Sequence, residues 1–129
     1  IENAVGSSER DYLLGNEFTN VLNGNAGDDV LDGQAGEDVY VGGAGSDSFV
    51  FSVIETGDSI SDFTTGEDFI DLRATGVAFT FVGENGLSGQ AGELAYTDGK
   101  LQGDVDGDGV ADLEIDLLGA NIQASDLAL

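Results

Sequence analysis

Asp11, Asn20, Asp29, Asp38 and Asp47 recur at intervals of nine residues, four carboxylates and one amide in register. Carboxylates held close together repel strongly unless a cation lies between them. A glycine stands five residues ahead of each: Gly6, Gly15, Gly24, Gly33 and Gly42. Glycine lets the backbone take positive φ and turn its carbonyl oxygens into the space the acids share. Carboxylates and carbonyls are the ligands of a hard divalent ion. Calcium takes roughly six to eight such oxygens, whereas magnesium keeps several waters in a stricter octahedron, so calcium is the better match.

The acids are positioned by five nine-residue units, GSSERDYLL, GNEFTNVLN, GNAGDDVLD, GQAGEDVYV and GGAGSDSFV, which fill residues 6–50 without a gap. The eighth place is always apolar: Leu13, Leu22, Leu31, Tyr40 and Phe49. Self-similarity at a fixed short period marks a solenoid, and a flexible acidic linker would lack the regular apolar residue. Each unit divides into a six-residue polar loop and a three-residue strand such as Val30-Leu31-Asp32, whose middle side chain points inward. Such a strand spans only about 10 Å. Two units therefore make one flattened coil, and stacked coils fill the thin space between two sheets with eighth-place residues. The predicted fold is all-β: a parallel β-roll, a β-helix-like solenoid of nonapeptide repeats, followed by an antiparallel β capping region.

Eighteen residues per coil give an explicit map: Asp11 faces Asp29 and Asp29 faces Asp47 on one edge, while Asn20 faces Asp38 on the other. Successive carbonyls along a loop point to opposite neighbours, so the central loops should carry most of the ligands. Those loops offer Gly24, Ala26, Gly27, Asp28 and Asp29, then Gly33, Ala35, Gly36, Glu37 and Asp38, then Gly42, Gly43, Ala44, Gly45 and Asp47. About three to five ions are expected.

The 129 residues suffice for a single domain, with repeats over 6–50 and a capping region over 51–129. Against 26 acidic residues stand 3 basic ones, a formal charge of -23. That balance argues against nucleic acid and against membrane insertion, since anionic partners need basic patches, and no apolar run reaches the roughly twenty residues of a membrane span. A monomer is expected. Cysteine and histidine are absent, which removes disulfides, thiolate sites, a zinc-protease helix and a Ser-His-Asp triad from this chain. No carboxylate pair stands out with opposed environments, so no catalytic site is assigned.

Ahead of the repeats, residues 1–5 read as a lead-in strand beneath the first coil. Beyond them Phe49, Phe51 and Val53 alternate like a longer strand, Thr56-Gly57-Asp58 reads as a turn, and SISDF and FIDL read as strands around a Thr65-Gly66 turn. Ile60, Phe63, Phe69, Ile70 and Leu72 can cap the open end of the roll. Asp58 and Asp62 flank Ile60 and could complete an ion site against the fourth or fifth loop. VAFTFV, residues 77–82, reads as a central strand. Asp98-Gly99 signals a hairpin, and Val110 to Leu118 a strand with Leu113, Ile115 and Leu117 on one face. Asp104, Asp106, Asp108 and Asp112 spell the start of an EF-hand-like loop but lack its twelfth-place glutamate; an acid-rich hairpin turn accounts for them as well.

Units three to five resemble the G-G-x-G-x-D-x-(apolar)-x repeats of RTX proteins, which bacteria secrete through type I systems. The IENAVG junction, the segment 49–72 and the SDLAL terminus resemble the tail of serralysin-type metalloproteases. Units one and two depart from the pattern at Ser8, Glu9, Glu17, Phe18 and Asn20. The resemblance implies a secreted, extracellular, non-catalytic module, covalently attached to an upstream zinc protease domain and exported by a type I apparatus that reads the carboxyl terminus. A docked terminal strand explains SDLAL equally well. The alternative is a calcium-stiffened spacer or carbohydrate-binding module of a polysaccharide-modifying enzyme or adhesin. Only Tyr12 lies outside the predicted core of the repeats as an aromatic for sugar contact.

Overall fold

The computed structural model describes residues 2–129. Successive strands fall alternately into two sheets: β1 (Glu2–Val5), β2 (Tyr12–Asn16), β3 (Asn20–Asn23), β4 (Val30–Gln34), β5 (Val39–Val41), β6 (Ser48–Val50), β7 (Thr56–Ile60) and β8 (Phe69–Asp71). Odd strands stack in parallel on one side and even strands on the other. The register is that of the map: Ala4, Leu22, Tyr40 and Ile60 align in one sheet. Leu13, Leu31, Phe49 and Ile70 align in the other. Because side chains alternate, these eighth-place residues point between the sheets. From Leu22 to Ile70 every one of them is buried, and each such side chain contributes roughly 1.5–3 kcal/mol of hydrophobic stabilisation. Ala4 and Leu13, in the first coil, are only partly covered.

The parallel stack does not stop at Val50. β7 and β8 add a further coil, and β13 (Leu127–Ala128) docks beside β8, so the chain's last residues join the even sheet. The segment read as the Thr56-Gly57-Asp58 turn is the start of β7 instead. Gly57, at φ 109°, makes a bulge there, visible as a register shift where β7 meets its next neighbour. β6 is also shorter than expected: Phe51 is buried beyond its end, and its amide bonds to Asp71 O at 3.0 Å. Phe69 faces solvent, because it occupies the outward seventh place, while Ile60, Phe63, Ile70 and Leu72 are buried as the cap requires.

The cap continues the odd sheet. β9 (Thr80–Gly83), β10 (Glu93–Thr97), β11 (Lys100–Asp104) and β12 (Leu113–Asp116) extend it in the order β1-β3-β5-β7-β12-β11-β10-β9. β10, β11 and β12 are antiparallel, and Asp98 and Gly99 turn the β10–β11 hairpin with positive φ, as predicted. Of the VAFTFV segment only Thr80 onward is strand, and β9 lies at the sheet edge instead of its centre; Phe79, just ahead of it, is the one buried residue of the six. β12 is shorter than Val110 to Leu118: Leu113, Ile115 and Leu117 are buried, but Val110 lies exposed in the acid-rich turn before it. No helix among the described residues is long and apolar enough to cross a membrane.

Candidate metal centre

The sixth-place acids form two ladders. On one edge the Asp11 amide donates to Asp29 Oδ1 at 2.8 Å, the Asp29 amide to Asp47 Oδ1 at 3.0 Å, and the Asp47 amide to Asp68 Oδ1 at 3.0 Å. On the other, the Asn20 amide donates to Asp38 Oδ1 and the Asp38 amide to Asp58 Oδ1, both at 2.8 Å. Each acid thus clamps the coil before it. Asp29, Asp38, Asp47, Asp58 and Asp68 are all 3% exposed or less.

One oxygen of each acid is used in this way; the other is not. Asp29 Oδ2, Asp38 Oδ2 and Asp47 Oδ2 are buried without a hydrogen-bond partner. An ionised oxygen in that position is costly unless a positive charge accompanies it. Each sits over the glycine that opens its own loop, where a Cβ on Gly24, Gly33 or Gly42 would come within 2.1–2.3 Å of it. The glycine carbonyl of the next coil reaches the same space, 2.6 Å from a Cβ built on Gly24. Among the described residues the ion pairs are Arg73–Asp71 at 2.7 Å and Lys100–Glu114 at 3.1 Å, and neither touches a ladder acid. Buried unpartnered carboxylate oxygens, joined at Asp29 by the Gly42 carbonyl, are a hard-cation donor set, so the residues fit a bound calcium.

Other predicted residues divide by what already occupies them. Asp62 receives the amides of Gly42 and Gly43 at 2.9 and 2.7 Å, and Asp28 Oδ1 receives the Ser46 amide at 2.8 Å. Loops three and five are knitted together by backbone: Ala26 bridges Ala44, the Gly27 amide bonds to Ala44 O, and the Ala44 amide to Asn25 O. Gly27, Gly36 and Gly45 take φ of 115°, 111° and 125° at the same place in their loops. Ala35 is half-buried, and Glu37 is exposed against Gly57. Asp11 Oδ2 is taken by the Ser7 hydroxyl at 2.9 Å. Asn20 is fully engaged, its Oδ1 accepting from the Asn16 amide and its Nδ2 donating to Glu2 O and Asn16 Oδ1.

Sequence reasoning missed two acids. Asp68 ends the first ladder, and Glu55 takes the Gly36 amide on Oε2 at 3.1 Å while its buried Oε1 has no partner. The signal was present in weakened form. FTTGEDFID, residues 63–71, keeps glycine fourth, aspartate sixth and isoleucine eighth; VIETGDSIS, residues 53–61, keeps the last two. In the acid-rich turn, oxygens of Asp104, Asp106 and Asp108 lie within 4.8 Å of one another. Asp104 there receives the amides of Gly107 and Gly109, and Asp112 that of Val105, all at 2.8 Å.

Burial, opposed in part by the backbone hydrogen bond each receives, pushes the carboxyl pKa of Asp38 and Asp47 up to about 6. It pushes Asp58 up to about 7, with Glu55, Asp38 and Glu37 adding repulsion. In the unfolded chain these groups titrate near ~3.9. The metal-free fold therefore holds extra protons, and the stability they give is complete below about pH 4 and lost as pH rises through about 6 and 7. Metal-free protein should show more β signal by circular dichroism at pH 5 than at pH 8 (both roughly bracketing that window), and metal-loaded protein the reverse. Equal metal-free signals at the two values would contradict the assignment.

A two-sheeted parallel roll with carboxylate ladders along both edges defines a class, that of repeat modules joined coil to coil through acidic loops. The chain belongs to the serralysin carboxyl-terminal family: the family described as Peptidase M10 serralysin C terminal matches residues 1–129. It is 48% identical over 132 aligned positions to the Metallopeptidase AprA of Pseudomonas marginalis, covering 92% of this chain and 27% of that protein. The chain thus spans about a quarter of that relative's length. Among solved structures it is similar to the AlgE6R3 subunit of the Azotobacter vinelandii mannuronan C5-epimerase, at a TM-score of 0.60 and 30% identity over 95% of this chain and 79% of that one.

Proposed function

We propose that this chain is a calcium-folded, non-catalytic module that serves as the carboxyl-terminal domain of a secreted bacterial metalloprotease and carries its type I export signal. The observation behind this reading is the set of buried, unpartnered oxygens on Asp29, Asp38 and Asp47, each over the glycine that opens its loop, with the Gly42 carbonyl beside that of Asp29. Bound calcium supplies the positive charge these acids otherwise lack. The loop backbones of units three to five hold the remaining oxygens toward the edges, and Asp58, Asp62, Asp68 and Glu55 close the gaps at the carboxyl-terminal end. Asn20 is the weakest candidate, because its amide offers donors toward its neighbours. Where calcium is scarce, repulsion keeps the chain loose enough to thread an exporter; outside the cell, millimolar calcium exceeds the affinity of extracellular sites and the roll closes. A catalytic domain precedes the module in the parent protein.

Equilibrium dialysis against calcium tests the reading directly. About three to five ions should bind, with magnesium a poor competitor at equal concentration. A chain that binds none would end it. The likeness to an epimerase subunit supports a second reading, a stiff spacer on a polysaccharide-modifying enzyme. Tyr12 and Phe18 are both exposed near the first coil, one aromatic more than the sequence suggested. A charge of -23 opposes a uronate polymer, and the protease relative is closer in sequence, so the first reading is preferred.

A further inference from the structure

An opening glycine of the first three loops takes two things from the coil that follows. Its amide needs an acceptor: the Gly6 amide finds Asn23 O at 2.7 Å and the Gly24 amide Val41 O at 2.9 Å. Its Cα also faces the next opening carbonyl, 2.5–2.6 Å from where a Cβ would sit on Gly6, Gly15 or Gly24. Gly33 and Gly42 have no such carbonyl among their nearest atoms: a Cβ on Gly42 would meet Asp47 first, and above Gly33 the chain runs from Val50 into Phe51 instead of an opening glycine. At Gly33 the Tyr40 hydroxyl takes that carbonyl's position. It accepts the Gly33 amide at 3.0 Å and lies 2.5 Å from the would-be Cβ, at the place a carbonyl fills elsewhere. That same point is 2.1 Å from Asp38 Oδ2, the oxygen of a fully buried acid that has no partner. Of the five eighth-place residues, Tyr40 alone carries a hydroxyl.

We propose that Tyr40 is a positioning residue of the Asp38 cation site, its hydroxyl standing in for the glycine carbonyl that a further repeat would have supplied. This rests on the calcium reading above. A phenol both donates and accepts, so it can hold Gly33 in place and still present an oxygen beside Asp38. Leucine or phenylalanine would fill the core equally well, as the ring does against Phe49 and Phe51 at centroid distances of 6.0 and 5.1 Å. Core filling leaves the hydroxyl unexplained.

Tyr40→Phe removes that oxygen alone. Its calcium isotherm should split, one ion needing about tenfold more calcium, the effect of one buried hydrogen bond lost, while the others keep their midpoint. An unchanged isotherm, or a uniform shift of all ions such as general destabilisation produces, overturns the proposal. A second measurement does not depend on that variant folding. Terbium loaded in place of calcium should show tyrosine-sensitised emission that survives in the Tyr12→Phe/Tyr96→Phe double variant, where Tyr40 is the sole tyrosine left of three. A dark double variant would also overturn it. Failure of the unsubstituted chain to bind calcium at all would instead remove the parent reading, and this inference with it.

Discussion

Chelation of calcium from the purified chain is expected to unfold the roll and not merely loosen it. Five ladder acids are buried at 3% exposure or less, and the whole chain carries a formal charge of -23. Without cations, folding must crowd ionised oxygens into a water-poor gap and also order 21 glycines, each losing more backbone entropy than any other residue. The core offers little in reserve, being one side chain per strand deep through the repeats. The expected result is loss of the β spectrum and expansion of the radius of gyration from about 14 Å toward about 37 Å by small-angle scattering, the values for a compact and an unfolded chain of this length. Re-addition of calcium should restore both. A compact β spectrum persisting in chelator near neutral pH and low salt would sink the switch.

The second large effect is expected at Gly43. Its φ of 97° is left-handed, yet Asn25 and Gln34 occupy the same place in their loops at φ 75° and 73°, so backbone conformation alone does not require glycine there. Space does. A Cβ on Gly43 would lie 1.9 Å from Asn25 O, the oxygen that accepts the Ala44 amide at 2.9 Å and knits loops three and five together. Gly43→Ala must push that carbonyl aside, breaking the bond and re-aiming an oxygen on the candidate metal edge. Left-handed strain and overpacking together cost about 3 kcal/mol or more. Distributed over about four ions that bind together, this raises the calcium concentration of half-folding roughly threefold to fourfold. Calcium titration followed by circular dichroism reads the shift, and a midpoint equal to that of the unsubstituted chain would show that the loops are not packed as described.

Much of this was legible in the residues themselves. Three features in register over five units fix the coil length, which pairs Asp11 with Asp29 and Asn20 with Asp38, and the ladders have those pairs. Asp98-Gly99 announced its hairpin by chemistry alone. What stayed hidden depends on tertiary context. Asp68 belongs to a unit whose opening glycine has become Phe63, and Gly57 read as a turn because a bulge and a turn ask for the same residue. VAFTFV looked central by its apolar content, but strand order in the cap is set by which neighbours cover it. No pattern in the sequence distinguishes Tyr40 from the leucines at its place; only the position of its hydroxyl, on the Gly33 amide and beside Asp38, gives it a task.

The ladder spacing bears on how such a domain can change over time. Between coils the partnered acids lie 18 residues apart within the repeats, then 20 from Asp38 to Asp58 and 21 from Asp47 to Asp68. The bonds nonetheless stay at 2.8–3.0 Å. Extra residues are taken up in the bends, while the strand trio never varies, since one added there would turn Leu31 or Phe49 outward. Insertions and deletions should therefore accumulate at the margins of this domain, which keeps its meter in amide-to-carboxylate links and leaves the number of residues between them free to drift.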